Sequence, residues 1–197
     1  MKFKLFGTEI YISFLFAATV AFMLATDRTG LVIPTLFAVF VHEAGHLFAM
    51  WTADCAPRKI RLIPASVQIV RSFSAKPVAE FAILICGPAA NLAVFAALYV
   101  NYLSFKHDWA LVSALINLII FAFNMLPVKG LDGGTVVYML LSGRIGKEKA
   151  QKVLRIMTAV TATFALAVGI YTAVNGRINL SVFIVALYLF VVSIMKM

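Results

Sequence analysis

Long apolar runs separated by short polar interruptions dominate this chain. The runs cover roughly residues 11–26, 31–53, 77–103, 109–126, 157–174 and 180–195. A spanning helix needs about 20 mainly apolar residues. The pattern therefore predicts an all-α polytopic membrane protein with about six transmembrane helices. The fourth run is broken at Pro127, since proline lacks an N–H and clashes with the preceding turn. It resumes after Asp132-Gly133-Gly134 and continues to about Leu141. Gly87-Pro88 predicts a break or kink in the third run. After the second run, Ile60-Arg61-Leu62-Ile63 and Val67-Gln68-Ile69-Val70 flank Pro64-Ala65-Ser66. This arrangement predicts a short membrane-associated β-hairpin or re-entrant element. Asp27 and Arg28, not a small-residue cleavage site, follow the first run, which is expected to be a retained span.

Charge tests the layout and orients it. With both termini on one side, all but three of the 17 lysines and arginines fall on that side; Arg28, Lys106 and Arg177 lie opposite. Basic residues accumulate in cytoplasmic loops, so both termini are expected in the cytoplasm of a prokaryotic cell. Arg144 to Arg155 is expected to be ordinary anchoring of this kind between two spans. The net charge of +9 then reflects topology, and no nucleic-acid partner is expected.

Composition agrees. Of 197 residues, 63% are hydrophobic and 13% charged, with a mean hydropathy of +0.99. Soluble domains are nearer half apolar and a quarter charged, so lipid is the solvent for most of this surface. One membrane-embedded domain is expected to fill residues 1–197. Two cysteines, Cys55 and Cys86, are too few for a disulfide framework.

The chemistry-bearing motif is His42-Glu43-Ala44-Gly45-His46, inside the second run. Histidines at i and i+4 share one helical face and reach one metal ion. Neutral imidazole suits zinc. Glu43, between them, is placed to act as general base on the attacking water. Such a motif arises by chance on wet helices, but three ionisable side chains within five residues of a membrane span are costly and mark function. His46 lies eight residues before Asp54, about 12 Å along a helix, so the site is expected inside the membrane but nearer the cytoplasmic face.

A catalytic zinc usually takes three protein ligands. The third histidine, His107, falls in a short outer loop, so the remaining ligand is expected to be acidic. Most of the eight acidic residues sit in polar loops. Asp132, flanked by Leu131 and two glycines within an interrupted apolar stretch, is the best-placed candidate, with Glu80 a weaker one.

HEAGH in the second run, Gly87-Pro88-Ala89-Ala90-Asn91 in the third and Asn124-Met125-Leu126-Pro127-Val128-Lys129-Gly130-Leu131-Asp132-Gly133-Gly134 in the fourth together resemble the site-2 protease family of intramembrane zinc metalloproteases. The resemblance implies a three-helix catalytic core over about residues 31–141, with additional spans at 11–26, 157–174 and 180–195. It implies one zinc ion held by His42, His46 and Asp132, with Glu43 catalytic. It places Asn124 where an amide positions substrate or stabilises the oxyanion. Asn91 and Asn117, like Asn124, are also candidates for helix-to-helix hydrogen bonds. Where the family often has proline before the Leu-Asp-Gly unit, this chain has Lys129-Gly130. The length leads to the expectation of a compact prokaryotic member, of a branch with a role in sporulation, without an inserted PDZ domain or a C-terminal CBS domain. The implied activity is cleavage of a membrane-spanning or membrane-tethered protein near the cytoplasmic face. A regulatory membrane protein is a further implied partner. The alternative is a non-proteolytic membrane zinc-binding protein or transporter; the intact Glu43 speaks against the former. Spans one, five and six, which lack ionisable interiors, speak against the latter.

Overall fold

The computed structural model describes residues 1–5, 7–63, 66–71 and 76–175, together with 183, 186, 187, 189 and 190. The expected span at 180–195 and the hairpin tip at 64–65 thus fall largely or wholly outside the described residues. The chain divides into two compact units, Met1–Phe123 and Asn124–Met197.

The first unit joins a small sheet to a helical layer. Strands β1 (Lys2–Leu5) and β2 (Thr8–Ile12) precede helices α1 (Phe14–Thr26) and α2 (Val32–Thr52). Strands β3 (Pro57–Ile63) and β4 (Ser66–Arg71) precede α3 (Pro77–Phe105) and α4 (Asp108–Asn124). The sheet order is β1-β2-β3-β4; the outer pairs are antiparallel and β2 runs parallel to β3, with Glu9 opposite Lys59 and Tyr11 opposite Arg61. The expected hairpin is present as β3–β4, but it is half of a larger sheet. The parallel pairing also fixes where α1 and α2 begin and end. They form a helical excursion that leaves from β2 and returns to β3, so the N-terminal strands and the segment after α2 lie on one side.

Strand alternation makes the sheet two-faced. Lys2, Lys4, Glu9, Tyr11, Lys59 and Arg61 share one face; Phe3, Ile10, Ile60 and Ile69 share the other. Ile69 packs on a cluster of Ala49, Met50, Cys55 and Ile83, which ties the apolar face to the ends of α2 and α3.

Helices α2, α3 and α6 (Lys147–Val174) are long and apolar enough to cross a membrane, and α1 and α4 are shorter apolar helices. On α2 the buried stripe is Ala38, His42, His46, Ala49 and Met50, while Phe37, Phe40, Phe48 and Trp51 are exposed. That outer face has no water-soluble character and suits lipid. The start of α2 is capped from outside the helix. Asp27 accepts the N–H groups of Thr29 and Gly30 through one oxygen and that of Val32, at 3.0 Å, through the other. These bonds hold its carboxyl below the ordinary value of 3.8, the Val32 bond contributing most.

Of the expected break or kink in the third run, the break is absent, since helix α3 continues through Gly87 and Pro88. Proline removes its own N–H from the ladder, which the long helix tolerates with Pro88 fully buried. The basic segment Arg144 to Arg155 is divided at Gly146, whose φ is +83°, between the end of helix α5 (Asp132–Ile145) and the first turns of α6. Ala150, Leu154, Thr158 and Ala162 recur every four residues on the buried side of α6, leaving the cations outward.

In the second unit, residues 125–131 fold back over the first turn of α5. A side-chain carbon on Gly133 would meet the carbonyl of Met125, and one on Gly134 that of Val128. Val128 is fully buried against Ala162 and Leu189, flanked by Leu126 and Leu131. Gly130, with φ of +91°, makes the turn before Leu131. Proline, fixed near −65°, has no access to that conformation.

Candidate active site

Helices α2 and α3 run side by side so that each inward group of one meets a partner on the other. Gly45 lets them approach, because a side chain there would collide with the backbone carbonyl of Cys86. Gly87 does the same one turn along, directly against the His46 imidazole. Ile83, Gly87 and Asn91 lie four residues apart on α3 and form the wall that the two histidines face.

Both histidines are buried, 7% and 8% exposed. His42 Nδ1 is 2.9 Å from Asn91 Oδ1, and His46 Nδ1 is 2.7 Å from the carbonyl of Ile83. The Asn91 amide donates to the carbonyl of Ala38 at 2.8 Å and to Asn117 Oδ1 at 2.9 Å. Its oxygen must therefore be the atom facing His42. Both acceptors call for an N–H at Nδ1, which assigns the lone pair of each ring to Nε2.

The two Nε2 atoms are 3.2 Å apart, on rings inclined at 86°. Two lone pairs at that distance repel unless a cation or proton lies between them. Zinc bonds of about 2.0–2.1 Å at a tetrahedral angle would put two ligand nitrogens about 3.3 Å apart. The pair thus fits a zinc ion in both separation and tautomer. Glu43, half-buried, lies on the intervening turn of α2.

Asn124 and Asp132 belong to the second unit. Asn124 is the last residue of α4, half-buried, three positions before Pro127. Asp132 is the first residue of α5, also half-buried. Glu80 lies in the first turn of α3. His107 is an exposed loop residue between α3 and α4, stacked between Phe105 and Trp109 at 5.8 and 6.2 Å. The residues that hold the histidines, Asn91 and Ile83, carried only a weak sequence signal: an asparagine in an apolar run, four positions after a glycine.

Paired imidazoles with a carboxylate on the turn between them, set in a helix long and apolar enough to cross a membrane, form an H-E-x-x-H arrangement that could hold a metal ion. The peptidase family M50 profile matches residues 105–168, the stretch that carries Asn124 and Asp132. Stage IV sporulation protein FB of Bacillus subtilis is 26% identical over 174 residues, covering 84% of this chain and 58% of that protein. A zinc metalloprotease of Methanocaldococcus jannaschii is 23% identical over 201 residues, covering 96% of this chain and 57% of that protein. The chain therefore spans just under three fifths of the length of these curated relatives. The fold of the site-2 protease from Methanocaldococcus jannaschii superposes with a TM-score of 0.70 at 21% identity, over 100% of this chain and 97% of that one. Residues 105–168 thus carry a peptidase family M50 match, and the chain is homologous to these two curated relatives and shares the site-2 protease fold.

Proposed function

We propose that this chain is an intramembrane zinc metalloendopeptidase, acting as one catalytic domain on a peptide bond in or near a transmembrane segment of another protein. The observation that carries the reading is the 3.2 Å convergence of His42 and His46 through Nε2, with Glu43 on the same helix. His42, His46 and Asp132 would hold one zinc ion; two imidazoles and a carboxylate are a donor set that zinc accepts. Zinc so held supplies Lewis acidity, activating water and polarising the scissile carbonyl.

The protein's own groups do the rest. Glu43 takes a proton from the attacking water as its oxygen bonds to the carbonyl carbon, then returns that proton to the amide nitrogen as the C–N bond breaks. Water is consumed, and one carboxyl and one amine are released. The Asn124 amide donates to the substrate, either to the oxygen where negative charge develops or to the flanking backbone. The apolar surroundings strengthen both interactions.

The cell-membrane placement follows from charge: multi-pass, both termini cytoplasmic, with the site toward the cytoplasmic face. His46 lies six residues from the end of α2, about 9 Å of helix, and the basic strands β1 and β3 lie beyond that end. A membrane-spanning or membrane-tethered protein is the substrate, and a second membrane protein regulates access. The relationship to the sporulation protein of Bacillus subtilis makes processing of a sporulation regulator the first substrate class to try.

The test is co-expression with membrane-tethered candidate substrates, comparing the natural chain with Glu43→Gln. Loss of cleavage with zinc content retained supports the assignment. Cleavage that continues at the natural rate in the variant overturns it.

A further inference from the structure

Three helices contribute to the setting of a single imidazole. Asn117 of α4 and Asn91 of α3 are both fully buried. The Asn117 side-chain amide donates to the carbonyl of Ser113, one turn back on its own helix, at 2.9 Å. That bond identifies its Oδ1 as the acceptor, and Oδ1 takes a proton from Asn91 at 2.9 Å. Asn91 uses its second N–H on the carbonyl of Ala38, 2.8 Å away, one turn before His42 on α2. Its own Oδ1 is then left with one role, accepting the N–H of His42 Nδ1. Every amide in the series has its orientation set by the bond before it. A flip would face like against like at two contacts for Asn117 and at three for Asn91.

We propose that Asn91 and Asn117 are positioning residues for His42: an amide relay from α4 through α3 that fixes the ring's rotation and tautomer and so sets the affinity of the site for its metal. This rests on the reading of His42 as a metal ligand. The physical case for a role beyond packing is the direction of the bonds. Two buried asparagines that only joined helices would be satisfied by any acceptor, whereas here the terminal acceptor is aimed at a ligand nitrogen. The Nδ1 of His46 faces a backbone carbonyl instead, that of Ile83, which no side-chain substitution removes.

Outer partners of metal-bound histidines typically change metal affinity about 10- to 100-fold when lost. The experiment is competition for Zn2+ between the purified full chain in detergent micelles and a colorimetric chelator. It uses the natural chain, His42→Ala, Asn91→Leu, Asn91→Asp and Asn117→Ala. Asn91→Leu, which removes the acceptor, is expected to weaken zinc binding about 10- to 100-fold. Asn91→Asp keeps an acceptor toward Nδ1 but loses both donor bonds. It should lower the thermal midpoint while holding zinc much better than Asn91→Leu. Asn117→Ala should weaken zinc binding less than Asn91→Leu, and should add nothing in the Asn91→Leu background. With Co2+ as probe at saturating concentration, Asn91→Leu should shift the visible absorption bands of the bound ion.

The outcomes separate the layers of the argument. If His42→Ala leaves zinc affinity unchanged, the metal site itself is misassigned. If His42→Ala abolishes binding but Asn91→Leu matches the natural chain, the relay is overturned and the metal site stands. If Asn91→Leu and Asn91→Asp lose zinc equally and in proportion to their lost thermal stability, the asparagines only pack helices, and the proposal fails. Should Asn91→Leu not fold, Asn117→Ala carries the test alone; unchanged zinc affinity and Co2+ bands in that variant overturn the relay.

Discussion

The hydroxyl of Thr158 accepts the backbone N–H of Lys129 at 2.9 Å, and donates in turn to the carbonyl of Leu154. One fully buried side chain on α6 thereby anchors the turn three residues before Asp132. Thr158→Val keeps the volume and removes the acceptor. A stability loss of about 1–2 kcal/mol is expected for a hydrogen bond removed at a buried site, measured by denaturant unfolding in detergent. Lower zinc occupancy should accompany it, since the turn presents Asp132. Unchanged occupancy with lowered stability would separate Thr158 from the metal site.

Gly87 abuts the imidazole of His46, with no room for a methyl group. Gly87→Ala is expected to displace the ring and abolish zinc binding and cleavage together. Gly143→Ala is the control, because nothing lies near a side chain at that position; it should behave as the natural chain. Zinc content of the purified proteins by elemental analysis reads both.

Gly130 holds φ at +91°. Gly130→Ala places an L side chain in that region at a cost of roughly 1–2 kcal/mol. Gly130→Pro should be the more damaging change, because its ring fixes φ near −65°. Thermal midpoints of the two variants, ranked against the natural chain, test the order.

Asp27 gives a pH dependence of stability. Its carboxyl is held below the ordinary value of 3.8 by the Val32, Thr29 and Gly30 bonds. A depressed value in the folded state means that the stabilisation is complete above 3.8 and is lost as pH falls through the lower folded value. Asp27→Ala should therefore unfold at a lower temperature than the natural chain at pH 6. The difference should narrow below pH 3.8. A gap that stays constant down to pH 2.5 would mean that the carboxylate contributes nothing in its charged form.

Much of the helical layer was legible in the sequence because lipid leaves the pattern so little choice. The second and third runs, read as 31–53 and 77–103, match α2 at Val32–Thr52 and α3 at Pro77–Phe105. The spacing of His42 and His46 gave their convergence directly. The fourth run ended before its proline, at Asn124, as the chemistry of proline requires. What escaped was non-local. Strands β1 and β2 are four and five residues long and take their support from Pro57–Ile63, some fifty positions away; no local pattern encodes that pairing. The amide relay was hidden for the same reason. Asn91 and Asn117 are visible as polar residues in apolar runs, but their orientation toward His42 exists only once α2, α3 and α4 have packed. Gly133 and Gly134 are helical and are explained by close approach of the loop, while the positive φ of this stretch belongs to Gly130.

The parallel pairing of β2 with β3 also dictates an order of assembly. The neighbour of β2 is not synthesised until α1 and α2 have been made. Joining strands across so long an interval means that the sheet is completed only after the helical pair exists. Until then β2 presents an unpaired edge, and Glu9, the charged residue of that strand, is what discourages strangers from docking there. The carboxylate that faces Lys59 in the finished sheet thus has an earlier duty as guardian of a nascent one.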